Sequence, residues 1–153
     1  MRHFKTKIDA GADVFVGHGV SAFRPGDHVV AAFVPSCGHC IPCATGRPAL
    51  CEPGFKANTA GTLLSGERRL HDRNGDVHHH LGVSGFAQHA VLAANSLVRV
   101  PSDLPFAEAA LFGCAVMTGV GAVVNTAAMP HGASAAVVGL GGVGLAALLA
   151  FIV

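Results

Sequence analysis

Four cysteines lie between positions 37 and 51 of the chain, as Cys37-Gly38-His39-Cys40-Ile41-Pro42-Cys43 and then, seven residues on, Cys51. No other feature restricts the fold as much. Four thiolates this close in sequence can surround one tetrahedral ion, and zinc suits a closed shell of soft sulfur. Binding then orders a loop that has little core of its own. An iron–sulfur cluster is the main rival, because the bacterial ferredoxin pattern also opens C-x2-C-x2-C. That pattern places its fourth Cys after three residues and follows it with Pro. Here the gap is seven and Glu52 follows Cys51. Buried, unliganded cysteines are the plainest alternative, and this spacing disfavours them. His39 sits inside the cluster but is not read as a ligand, because four sulfurs already fill the shell.

The chain has 153 residues, of which 51% are hydrophobic and 12% charged, so it can bury a core and does not read as disordered. A formal net charge of +1 supplies no field to attract nucleic acid or an anionic membrane surface. The start, Met1 to Asp9, is polar and has no apolar signal core, which makes the cytoplasm the expected compartment. In that reducing environment clustered cysteines bind metal more often than they form disulfides. From Ala133 to Val153 no residue is charged, a length close to the ~20 residues of a spanning helix. The glycines at 139, 141, 142 and 144 suit a helix interior poorly, and flanking basic and aromatic anchors are missing. A buried strand, a glycine loop and a buried helix account for the run better than a membrane span.

Val14-Phe15-Val16, His28 to Phe33 and Phe86 to Leu92 carry the Val- and Phe-rich signature of strands. Arg24-Pro25-Gly26-Asp27 has turn chemistry, with Pro presetting one dihedral and Gly accepting positive φ. Pro35 to Pro53 reads as a compact Cys/Gly/Pro loop, and Lys56 to His80 as a long polar loop with a hairpin near Asn74-Gly75. His78-His79-His80 reads as solvated loop, with adventitious metal as the lesser alternative. Ser102-Asp103-Leu104-Pro105 resembles a helix start, leading into a helix through Leu111. A second helix is expected within Thr118 to Ala128, ending before Pro130.

The second motif is Gly139-Leu140-Gly141-Gly142-Val143-Gly144, a G-x-G-x-x-G run after the apolar stretch Ala135 to Val138. In a nucleotide-binding turn Gly139 makes the bend and Gly141 admits the backbone to a pyrophosphate. Gly144 then lets the following helix pack on the strand, with Gly142 and Val143 at the helix N-terminus facing the anion. A glycine-rich packing turn is the simpler alternative. The acidic residue expected about 20 residues further on would fall beyond Val153.

Together these motifs resemble the zinc-dependent medium-chain alcohol dehydrogenases, nearest the branch of the glutathione-dependent formaldehyde dehydrogenases. The matching runs are Arg24 to Val29, Ser36 to Cys51, Gly82 to Ala87, Gly113-Cys114-Ala115-Val116-Met117-Thr118-Gly119 and Gly139 to Gly144, agreeing in order from about Ala10 onward. The resemblance implies a mixed α/β architecture. An incomplete, β-rich GroES-like catalytic domain spans 1–115, and the first strand-turn-helix of a Rossmann domain spans 116–153. It implies that Cys37, Cys40, Cys43 and Cys51 hold a structural zinc, that Cys114 is a catalytic-zinc ligand and that Thr118 lies near the nicotinamide of NAD. On its own residues, Cys114 reads as a small core side chain.

The resemblance also places the first catalytic ligand, a Cys with its proton-relay neighbour, upstream of Met1. The His of the family's Gly-His-Glu motif falls among Thr6-Lys7-Ile8, which do not supply it. His18 belongs to the next segment, and His3 has no matching context. The chain thus reads as truncated at both ends, offering one of the three protein ligands a catalytic zinc needs. The expected protein is a fragment of an NAD-linked oxidoreductase acting on a small alcohol or aldehyde, inactive alone, from a family of homodimers or homotetramers. A non-catalytic zinc-binding module, or the remnant of a degraded or split gene, is the alternative.

Overall fold

The computed structural model describes residues 3–7, 14–17, 19–85 and 89–152. Ile8, Ala10, Gly11, His18 and residues 86–88, to which the sequence reading assigns places, lie outside them. The chain forms two compact units that divide between Asp103 and Leu104.

The first unit contains the strands β1 (His3–Lys7), β2 (Val14–Phe15), β3 (Val29–Ala31), β4 (Leu70–Asp72), β5 (Gly75–Val77), β6 (His89–Ala93) and β7 (Leu97–Arg99), with helices α1 (Ile41–Ala44) and α2 (Glu52–Ala60). All pairing is antiparallel: β1 lies between β2 and β6, β3 pairs β7, and β4 pairs β5. Phe23, Ala90, Leu92 and Leu97 form the buried core, with Val16, Val20, Val29 and Ala31 packed around it. The turn before β3 forms as its residues dictate. The Asp27 N–H donates to the Arg24 carbonyl at 3.1 Å, and Gly26 takes φ +88°. Arg99 closes the turn from β7, with Nη2 2.8 Å from Asp27 Oδ2 and the guanidinium 5.8 Å above the Phe23 ring centroid.

Two parts of the expected loop 56–80 differ. Its first residues belong to α2, which ends at Gly61 in the left-handed conformation with φ +65°. The hairpin does form, with Asp72 opposite Gly75. His79 is not solvated loop but is buried, 6% exposed. The partners that bury it come from elsewhere in the sequence: its backbone N–H donates to Gly61 C=O at 3.0 Å, and Nε2 accepts from the Arg69 N–H at 3.1 Å.

In the second unit the two expected helices are one, Phe106–Thr126. It comprises α3 (Phe106–Ala109) and α4 (Met117–Gly121), with π-helical turns at Phe112–Val116 and Ala122–Thr126. The Val116 N–H reaches Leu111 C=O at 3.1 Å and the Ala127 N–H reaches Ala122 C=O at 2.9 Å. The helix runs on through these wider turns, and no proline interrupts it before Pro130. By length and composition alone this helix is long and apolar enough to cross a membrane. The last helix, α5 (Gly142–Ile152), has 11 residues and is not.

α4 and α5 pack closely because residue 119 is glycine: a Cβ there would strike the Val143 carbonyl and lie 2.7 Å from Ala146 Cβ. The strand expected at Ala135 to Val138 is absent, and Val138 is 100% exposed. Valine-rich sequence favours a strand, but among the described residues no neighbour offers it a ladder. The expected division at 115/116 falls inside the long helix.

Candidate metal centre

The four cysteines are brought together. Their Sγ atoms all lie within 4.8 Å of one another, with Cys37 and Cys51 buried and Cys40 and Cys43 half-buried. No other group of three or more His, Cys, Asp or Glu side chains among the described residues could hold a metal ion. All four are free thiols.

Local sequence builds this arrangement. Gly38 takes φ +81°, turning the chain between Cys37 and Cys40, so that the Cys40 N–H donates to Cys37 Sγ at 3.3 Å. Ile41-Pro42-Cys43-Ala44 then forms α1, with Pro in the first turn where its missing N–H costs nothing. Cys51 caps α2: its Sγ accepts from the Gly54 N–H at 3.2 Å and from the Cys37 N–H at 3.2 Å. One sulfur thus joins the helix to the first arm of the loop. Gly54 has no room for a side chain, since a Cβ there would strike the Pro35 carbonyl.

The thiols share protons unequally. Burial pushes the Cys51 thiol up to about 12, with Cys37 and Cys43 adding to the rise and the N–H groups of Cys37 and Gly54 opposing it. Burial also raises Cys43. At Cys37 burial acts in the same sense. The N–H groups of His39 and Cys40 and the thiols of Cys40 and Cys51 outweigh it and bring Cys37 down to about 6. A divalent cation held here would remove this inequality, because all four sulfurs would bind it as thiolates. The donor set, four sulfurs with no carboxylate or imidazole, fits zinc. The Nδ1 of His39 donates to the Cys37 carbonyl at 2.9 Å.

Cys114 is exposed on the π-helical turn of the second unit and belongs to no such cluster among the described residues. Thr118 follows it by one helical turn and is also exposed. A catalytic zinc does not fit these residues alone. In the glycine run, Gly139 takes φ +95°, the Cβ position of Gly141 is open space, and a Cβ on Gly144 would strike the Gly139 carbonyl. Gly142 stands at the start of α5, and Val143 is exposed beside it.

The family model for the alcohol dehydrogenase GroES-like domain matches residues 9–102. The chain belongs to this family. It is similar to alcohol dehydrogenase B of Mycobacterium tuberculosis, 42% identical over 139 residues, covering 91% of this chain and 37% of that protein. Alcohol dehydrogenase class-3 of Drosophila melanogaster is 39% identical, covering 90% and 36% respectively. A solved alcohol dehydrogenase zinc-binding domain protein from Burkholderia ambifaria superposes with TM-score 0.79 at 35% identity, over 92% of this chain and 38% of that one. This GroES-like chain therefore spans little more than a third of the length of the relatives it matches.

Proposed function

We propose that this chain is the structural-zinc portion of an NAD-linked alcohol dehydrogenase, with Cys37, Cys40, Cys43 and Cys51 holding the ion. The observation that carries the reading is the convergence of four sulfurs within 4.8 Å in a domain of this family. The zinc supplies folding free energy to a loop whose own buried apolar surface is small. Cys51 caps α2, the Cys37 carbonyl takes Asn95 from the turn between β6 and β7, and Cys40 and Cys43 close the shell.

The whole enzyme oxidises a small alcohol to an aldehyde or ketone, and NAD, when bound, accepts the hydride. Residues 1–115 belong to its catalytic domain and 116–153 open the Rossmann domain. There Gly139, Gly141, Gly142, Val143 and Gly144 form the turn toward the pyrophosphate. The close fit of Gly144 on the Gly139 carbonyl supports that assignment. Cys114 and Thr118 serve the catalytic zinc and the nicotinamide in the whole enzyme. The isolated chain lacks turnover, because Cys114 has no companion ligands among the described residues. It works in the cytoplasm, without nucleic acid or membrane, and homodimers or homotetramers are the assembly of the whole enzyme.

The isolation of Cys114 also favours a second reading, a zinc-binding module with no redox activity. Metal analysis and an activity assay on the purified chain test both. One zinc per chain without NAD reduction by alcohols is expected. Zero zinc would remove the metal reading, and measurable alcohol oxidation would remove the claim of inactivity.

A further inference from the structure

The carbonyl of Cys37 accepts two hydrogen bonds, from Asn95 Nδ2 at 3.0 Å and from His39 Nδ1 at 2.9 Å. A carbonyl oxygen has two lone pairs, so both are used. One donor comes from within the loop; the other lies 58 residues away in sequence. Asn95 is itself held. Its backbone carbonyl accepts from Ser36 Oγ at 3.1 Å, and the next residue, Ser96, accepts the Ser36 N–H on its hydroxyl at 3.2 Å. Ser96 C=O also takes the Ala32 N–H at 2.8 Å. The Asn95 carboxamide fills the space a Cβ on Gly38 would need. The peptide between Cys37 and Gly38 is therefore fixed in plane by its two acceptor bonds and in position by the side chain above it.

That peptide leads into the turn that aims the Cys40 N–H at Cys37 Sγ. If it rotates, the first sulfur and the second arm of the loop move together. We infer that Asn95, seconded by His39, is a positioning residue for the metal, holding the Cys37 arm so that the ion leaves slowly. The inference rests on the zinc reading above. Groups that orient metal ligands from outside the coordination shell commonly change metal affinity by about 10- to 100-fold when removed.

The test uses the full chain purified with zinc, with metal content measured first. A wild-type chain without zinc would defeat the metal reading itself, before any variant is compared. Zinc release to the chromophoric chelator 4-(2-pyridylazo)resorcinol is then timed. Asn95→Ala is expected to release zinc about tenfold faster than wild type. Asn95→Asp should be at least as fast, because it keeps the volume but sets a carboxylate against the carbonyl. His39→Ala removes one exposed side chain and should accelerate release severalfold, a readout that survives if Asn95→Ala fails to fold. The control is Asn58→Ala, which takes away the Oδ1 that accepts the Leu81 N–H at 2.8 Å and leaves the bonds to the Cys37 carbonyl in place. It should lower the thermal midpoint and leave release unchanged. Cobalt-substituted Asn95→Ala should also show a shifted thiolate charge-transfer band. Wild-type release rates in Asn95→Ala and His39→Ala would overturn the inference, as would equal acceleration by Asn58→Ala.

Discussion

The metal loop and the C-terminal helix pair both use glycine for close approach, yet they are held in opposite ways. In the loop, Gly54 lets α2 meet the Pro35 carbonyl, and the same place is pinned by Cys51 Sγ, which holds the Gly54 and Cys37 N–H groups. Further bonds arrive from residues 95 and 96. In the helix pair, Gly119 lets α4 meet α5 at Val143, and the surroundings are apolar and open. Leu111, Phe112, Val124, Leu145 and Leu149 are all exposed there. One region is specified by polar bonds from distant parts of the chain. The other is specified by the apolar packing of two helices, with much of its apolar surface uncovered.

The largest expected effect separates the two regions most sharply. Cys51→Ala removes a proposed zinc ligand, a helix cap and the acceptor of two N–H groups at once. Each stranded buried donor costs about 1–3 kcal/mol, beyond the loss of the metal. Zinc should fall to none per chain, and amide exchange should rise from Ser36 through α2 while α4 and α5 keep their rates. Exchange rising equally in both regions would mean that the metal loop does not hold its own unit independently.

The next effect compares the two glycines. Gly54→Ala should cost about 3 kcal/mol, because the Cβ meets backbone that the Cys51 sulfur prevents from moving. Gly119→Ala, with a similar clash, should cost about 1 kcal/mol, because α5 is free to slide outward. Thermal denaturation of both variants measures the difference. Equal costs would show the helix pair to be as tightly determined as the loop.

A smaller effect concerns His79. Its Nε2 accepts the Arg69 N–H, so the proton sits on Nδ1, 3.4 Å from Ser84 Oγ. Burial lowers its pKa, and the charge of Arg69 lowers it further. The unfolded chain then binds a proton that the folded chain refuses. Stability attributable to this residue is present above about 6.5 and is lost as pH falls through that value toward the lower folded pKa. The thermal midpoint should decline over this window, and His79→Gln, which keeps a neutral acceptor and donor, should flatten the decline. An unchanged slope in the variant would assign the acid sensitivity to other groups.

These contrasts also explain what could be read in the amino-acid order. The cysteine spacing announces the cluster because its four sulfurs are close in sequence. Arg24-Pro25-Gly26-Asp27 announced its turn for the same reason. α2 was not legible: Gly54, Asn58 and Thr59 are weak helix formers, and its cap is a thiol, outside the usual capping residues. Asn95 carries no signal in the sequence because its partner Cys37 stands 58 residues away, and His79 reads as solvated loop because only the fold brings Gly61 and Arg69 against it. The strand at Ala135 to Val138 was overread because valine reports a preference, whereas a strand requires a neighbour.

The smallest expected effect follows from that last error. Val138 is 100% exposed, despite lying in the most apolar run of the chain. If the second unit is specified only by the contact of α4 on α5, Val138→Thr should change stability by less than about 0.5 kcal/mol. Ala146→Ser, which puts a hydroxyl at the buried point opposite Gly119, should lower stability by about 1–3 kcal/mol for want of a partner. Equilibrium urea unfolding of the two variants gives both values. A large loss from Val138→Thr would mean that the run before Gly139 is covered in solution, and that the helix pair is not alone in ordering this unit.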